Sequence, residues 1–132
     1  MKVSSFSRSS FPHQHAIVDD ILLNGSLTLG DNVGDLGGEI LAYMACQDKT
    51  KGMNLQAVDG LTPEQRFFIG YAQWDCANDR PEDLRLRANI DPHSNAVNRI
   101  NGVVVMPEYA KAFSCRQDQP MTKPAAKVCK VW

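Results

Sequence analysis

Two aspartates four residues apart, Asp31 and Asp35, stand in the glycine-rich stretch Leu29-Gly30-Asp31-Asn32-Val33-Gly34-Asp35-Leu36-Gly37-Gly38. On a helix, positions i and i+4 share a face with Cβ atoms about 6 Å apart, so both carboxylates can act on one object. Like charges held that close repel, which favours a nearby cation such as a metal, or a histidine bound to one. From this stretch alone the more ordinary reading is a helix start, with acids in the first turn stabilised by the macrodipole. A second stretch, Ile90-Asp91-Pro92-His93-Ser94-Asn95-Ala96-Val97-Asn98-Arg99, has many side chains that can reach a ligand and few that would pack. His13-Gln14-His15 offers two imidazoles, although an H-x-H in a polar segment is ordinarily solvated loop. Four cysteines, Cys46, Cys76, Cys115 and Cys129, contain no C-x-x-C pair, which argues against a zinc ribbon or a redox dithiol. Their even number suits disulfides in an oxidising compartment, in any of three connectivities. Cys46 lies in an apolar helical stretch and reads as a small buried hydrophobe, whereas the other three lie among polar residues.

The elements that must position these groups come from one domain-sized chain of 132 residues, 43% hydrophobic and 22% charged. With 14 basic against 15 acidic residues it has no electrostatic footprint for nucleic acid. No apolar run approaches the roughly 20 residues of a membrane span. The first ten residues lack the apolar stretch of about 7 to 15 residues of a signal peptide, so no targeting signal is expected in them.

Residues 1–15 are Ser-rich and aperiodic and read as a flexible arm, with 16–132 as the folded part. An apolar run over 16–23, helix or strand, ends at the turn signal Asn24-Gly25. Residues 26–34 read as a loop or irregular turn, and a helix is expected over 35–47 from the spacing of Leu36, Ile40, Tyr43, Met44 and Gln47. Gly37-Gly38 inside it costs about 1 kcal/mol per glycine, which implies a close approach to that backbone. After a polar connection, Thr62-Pro63-Glu64-Gln65 supplies an N-cap, a proline at the first helical position and the Gln of a capping box. Phe67, Phe68, Tyr71, Ala72, Trp74 and Cys76 cover more than one face of that helix, which predicts that it is largely buried. Asp79-Arg80-Pro81 opens a shorter helix through Arg87, Val103-Val104-Val105 reads as a short extended piece, and Met106-Pro107-Glu108 starts a helix to Phe113. The ending Cys129-Lys130-Val131-Trp132 reads as a docked tail.

Taken together these landmarks resemble the neprilysin-type zinc metalloendopeptidases. The glycine-flanked Asp31-Asn32-Val33-Gly34-Asp35-Leu36-Gly37-Gly38 resembles the family's E-N-x-x-D-x-G-G element. In the family's order there follow Leu61-Thr62-Pro63-Glu64-Gln65-Arg66-Phe67-Phe68, Tyr71-Ala72-Gln73, Arg80-Pro81-Glu82, Asp91-Pro92-His93-Ser94, Arg99-Ile100-Asn101-Gly102, Met106-Pro107-Glu108-Tyr109, Ala112-Phe113 and Cys129-Lys130-Val131-Trp132. The resemblance spans residues 21–132 and concerns the carboxy-terminal end of a longer enzyme. It implies a mostly α fold: the C-terminal helical portion of a thermolysin-like, zincin-type catalytic domain without the zinc helix.

The resemblance also implies roles. In the family, zinc is held by two histidines of an H-E-x-x-H helix and by a glutamate on the next helix, a position occupied here by Asp31. Asp35 matches the aspartate that accepts a hydrogen bond from a zinc-ligating histidine and fixes its tautomer. His93 matches the residue that stabilises the oxyanion, and Arg99 the arginine that hydrogen-bonds the substrate backbone. Peptides cleaved on the amino side of hydrophobic residues are the implied substrates, and the implied setting is extracellular, periplasmic or a membrane-anchored ectodomain. Cysteines at the positions of Cys76, Cys115 and Cys129 commonly pair with upstream partners in the family.

Two departures stand against this. No H-E-x-x-H occurs in the 132 residues, so two zinc ligands and the general base are not among them. Asp31 replaces Glu, shortening that arm by one methylene, about 1.5 Å. Smaller departures are Asn95-Ala96 in place of Pro-Gly, and Trp74-Asp75 where the family places a small apolar residue and then Trp. Three expectations follow: a C-terminal peptidase fragment, inactive alone; a non-catalytic interaction module or remnant derived from a peptidase; or a chain that binds zinc itself through His13, His15 and Asp31.

Overall fold

The computed structural model describes residues 16–18, 21–116, 119, 121 and 122. The H-x-H pair, Cys129, the arm over 1–15 and the docked tail all lie outside the described residues. The run over 16–23 resolves as two short antiparallel strands, β1 (Ala16–Val18) and β2 (Ile21–Leu22), in which Ala16 faces Leu22 and Val18 faces Ile21. The remaining elements are helical, as the fold expected from the sequence requires.

The long helix α1 runs from Gly25 to Thr50, ten residues earlier than the expected start at 35. Asn24 does not make a turn with Gly25; its side-chain oxygen accepts from the Leu27 N–H at 3.2 Å and caps the helix. The expected stripe relied on apolar residues alone, whereas the buried face of α1 is Thr28, Asn32, Leu36, Glu39 and Tyr43. Those spacings of four, four, three and four are helical throughout, but three of the five residues are polar. Met44 and Gln47 are exposed, and so is Cys46, against the expectation of burial. Gly38 needs no close approach, since a Cβ there would meet open space.

Helix α2 (Pro63–Trp74) carries the capping box in full: Gln65 N–H donates to Thr62 Oγ1 at 3.3 Å, and Thr62 N–H donates to Gln65 Oε1 at 3.0 Å. It is not largely buried. Only Phe68 is fully covered, Trp74 is 65% exposed, and Cys76 lies beyond the helix end. In the connection before it, Val58 and Leu61 exchange both backbone hydrogen bonds around Asp59-Gly60, which have φ of 52° and 77°. Asp-Gly supplies those two positive φ values at low cost, giving the tight hairpin turn.

Helices α3 (Pro81–Ile90) and α4 (Ala96–Ile100) flank the loop that carries His93, so Arg99 stands on a helix and not in a loop. Val103-Val104-Val105 is not extended; residues 101–105 form a 3-10 turn that buries Val103 and Val105 and leads into α5 (Pro107–Ala112). The core sits where the middle of α1 meets α2, the 3-10 turn and α5, with Leu36, Tyr43, Phe68, Val103, Val105 and Met106 at its centre. Phe68 is its hub, with the rings of Phe67, Tyr43 and Tyr109 at centroid distances of 5.3, 5.3 and 5.5 Å. Packing of α3 against the β1–β2 hairpin closes the other end.

Candidate active site

Helix α1 carries Asp31, Asp35 and Glu39 one turn apart on one side. From α4, Arg99 reaches this row and grips Asp35 with two parallel hydrogen bonds, Nε to Oδ2 at 2.7 Å and Nη2 to Oδ1 at 2.9 Å. The two residues are 64 apart in sequence, and each side chain is more than four-fifths covered. Bidentate pairing of this kind is the strongest carboxylate–guanidinium geometry, and it pushes the Arg99 guanidinium further above its already high range. The guanidinium also lies over the Trp74 ring, with Cζ 4.9 Å from the centroid, so the last residue of α2 holds its flat face.

His93 comes from the α3–α4 loop. Asp91 Oδ1 accepts from the His93 backbone N–H at 2.9 Å and stands 2.8 Å from its Nδ1. These two bonds, the backbone one first, hold the Asp91 carboxyl below its usual range. They also aim the imidazole, leaving Nε2 facing Asp31 Oδ1 at 3.6 Å. Asp31 Oδ2 is 3.7 Å from Arg99 Nη2, too long for a hydrogen bond, and is buried without a hydrogen-bond partner among the described residues. The four residues singled out in the sequence, Asp31, Asp35, His93 and Arg99, are therefore brought together on one surface by three separate elements.

Four more residues of this region went unremarked as site residues. Asp91 was legible in principle, because an aspartate two positions before His93 is the Asx-turn spacing. Trp74 reads in the sequence as a helix-face residue and a departure from the family pattern, with nothing that points to Arg99. Ser94 stands beside His93 in the ligand-reaching stretch, whereas Glu39 carries no local signal in the sequence. Glu39 is 4% exposed, and neither carboxylate oxygen has a hydrogen-bond partner among the described residues. Burial, then the nearby Asp35 charge, pushes its pKa up to about 8.

A metal would find one suitable arm here. Asp31 Oδ2, a buried acceptor with no hydrogen bond of its own, fits a single carboxylate ligand, and the shortened arm must be matched to within about 0.2 Å. Among the described residues no three His, Cys, Asp or Glu side chains come together as a metal-holding group. The described residues therefore offer a single carboxylate arm for such a centre.

Comparison with known proteins identifies the family of the chain. The model of peptidase family M13 matches residues 3–129. The chain belongs to peptidase family M13. It is 40% identical to neprilysin-1 of Caenorhabditis elegans over 119 residues, covering 86% of this chain and 16% of that protein. It is 36% identical to human endothelin-converting enzyme 1 over 114 residues, covering 83% of this chain and 14% of that protein. Among solved structures, the Mycobacterium tuberculosis zinc metalloprotease Zmp1 in its open state superposes with a TM-score of 0.83 at 30% identity, over 98% of this chain and 21% of the other. The inhibitor complex of the same protease gives a TM-score of 0.84 at 29% identity, over 97% and 20%. The chain thus spans about a sixth of the length of the curated relatives it matches. The expected neprilysin-type membership and mostly helical fold both stand, and no helix among the described residues is long and apolar enough to cross a membrane.

Proposed function

We propose that this M13 chain forms one wall of the active site of a zinc metalloendopeptidase that hydrolyses peptides at hydrophobic residues. Asp31 is its metal ligand, and Asp35, His93 and Arg99 are its catalytic groups. The observation that supports the reading is the meeting of these four side chains from α1, the α3–α4 loop and α4. Zinc, when bound at such a centre, supplies Lewis-acid chemistry, polarising a peptide carbonyl and acidifying water.

The chain's own residues do the rest. Arg99 spends two of its five N–H donors on Asp35, which leaves three to grip substrate carbonyl oxygens while the guanidinium stays fixed in plane. Asp35 accepts only those two bonds out of about four lone-pair sites, so it retains capacity to orient an imidazole from the facing wall. With Nδ1 engaged by Asp91, His93 presents Nε2 to the cleft, where it donates to a developing oxyanion in its imidazolium form. Large apolar side chains left exposed, Leu41, Met44, Leu86 and Ile90 among them, suit a chain that packs against further parts of a longer peptidase. An extracellular, periplasmic or membrane-anchored ectodomain is the setting that matches the M13 relatives.

Without H-E-x-x-H in its 132 residues, this chain by itself is expected to show no hydrolysis of a fluorogenic peptide. The direct test is a chimera in which residues 16–132 replace the matching part of a relative such as neprilysin-1. Chelator-sensitive hydrolysis is expected, reduced about a hundredfold or more by His93→Ala and by Arg99→Ala. Asp31→Glu should raise zinc affinity in the same background. A folded chimera whose activity ignores His93→Ala and Arg99→Ala would overturn the assignment and favour the non-catalytic reading of this chain.

A further inference from the structure

Beside His93 and Arg99 lies a cavity of about 290 Å³, lined by Asp75, Asp79, Arg87, Asp91, Ser94 and their neighbours. Its charges are unequally satisfied. Arg99 is committed to Asp35 and stacked on Trp74; Arg87 is committed to Asp79 and, at 2.6 Å, to Asp83. Asp91 is held by the two bonds from His93. Asp75 differs: its Oδ2 is buried and has no hydrogen-bond partner among the described residues. Ser94, lining the same cavity and only 5% exposed, carries a hydroxyl that is likewise unpartnered.

Burying an acceptor without a donor costs free energy that a fitted donor returns. Both cationic groups on the cavity wall are already matched by carboxylates, two of which, Asp35 and Asp83, stand outside its lining. Arg87 Nε is also buried without a hydrogen-bond partner among the described residues, but both arginines have carboxylate partners and Asp75 has no ion pair there, so the unmet charge calls for a cation with N–H donors. No metal-holding group of three His, Cys, Asp or Glu side chains exists among the described residues, which leaves an organic cation.

We infer that this cavity is a subsite for a basic peptide side chain, arginine above all, selected by Asp75 with Ser94 as a second acceptor. A guanidinium presents five donors in a planar fork and can serve a carboxylate and a hydroxyl together; citrulline keeps that shape and loses the charge. The inference deepens the reading of this surface as a peptide-binding wall and rests on it.

The 132-residue chain is titrated at low ionic strength with a capped alanine tetrapeptide carrying one arginine, and with its citrulline and leucine counterparts. Binding is read by calorimetry and by the indole N–H resonance of Trp74. The arginine peptide is expected to bind about tenfold more tightly than either counterpart, with the margin shrinking as salt is added. Asp75→Asn should erase the margin, and Ser94→Ala should narrow it, while circular dichroism confirms that both variants keep their helices. Equal binding of all three peptides would overturn the subsite and leave the peptide-binding wall standing. A margin that survives in both folded variants would overturn the assignment to Asp75 and Ser94. No binding of any peptide would overturn the subsite and the wall together.

Discussion

The two halves of α1 bury opposite kinds of surface. The apolar half of its buried surface sends Leu36 and Tyr43 into the core, where Phe68 sits at 3% exposure among Phe67, Tyr43, Tyr109 and Phe113. Every partner there is apolar, and its contribution scales with area removed from water. The polar half instead presents Asp31, Asp35 and Glu39, of which only Asp35 is held by hydrogen bonds to a cation. One helix thus joins a region shaped for stability to a region that holds unsatisfied charge, and such residue charge is the usual mark of a site that meets something else.

Phe68→Ala tests the apolar half and carries the largest expected effect. Removing the hub should cost about 3–5 kcal/mol, read as a large fall in melting temperature by circular dichroism. A loss below about 1 kcal/mol would mean that the knot does not carry the fold. The aromatic edges around it add geometry to area, so Phe68→Leu should recover much of the loss and sharpen the assignment.

Glu39 tests the polar half through pH. Its carboxyl keeps a proton up to about pH 8 in the folded chain, against an ordinary value of 4.5. Between those values the folded state binds more protons than the unfolded state, so stability falls as pH rises from about 4.5 through about 8 and is lowest above that. Glu39→Gln should match the wild type near pH 4 and melt at a clearly higher temperature near pH 9. Superimposable pH profiles for the two proteins would erase the contrast between the halves of α1. The groups whose charges reach this region, Asp35 and Tyr71, stay unchanged in that comparison.

The smallest effect separates backbone cost from packing. Gly38 faces open space, so Gly38→Ala should gain about 1 kcal/mol of helix stability without touching either half. Loss of stability on that change, seen in the same melts, would show that α1 is held by an approach to its backbone after all.

Much of this was readable from local sequence because the forces concerned act within a turn or two. The Thr62–Gln65 capping box, the proline starts of α2, α3 and α5, and the i, i+4 pairing of Asp31 with Asp35 all depend on neighbours at most four residues away. The early start of α1 escaped the apolar pattern because Thr28 and Asn32, joined by an Asn32 Nδ2 to Thr28 Oγ1 bond at 3.3 Å, fill buried positions with polar groups. Val103 to Val105 favoured strand by propensity, yet packing against α1 and α5 turns them into a 3-10 segment.

By itself, the sequence determined the family, the helical class and the four side chains to watch, since these are written in spacing and residue type. The tertiary structure alone decided that Arg99 clasps Asp35, that Trp74 covers its face, that Glu39 is sealed from water and that Asp75 is left unpaired. Those outcomes follow from which surfaces meet when elements some sixty residues apart pack together, and burial and pairing are properties of that meeting.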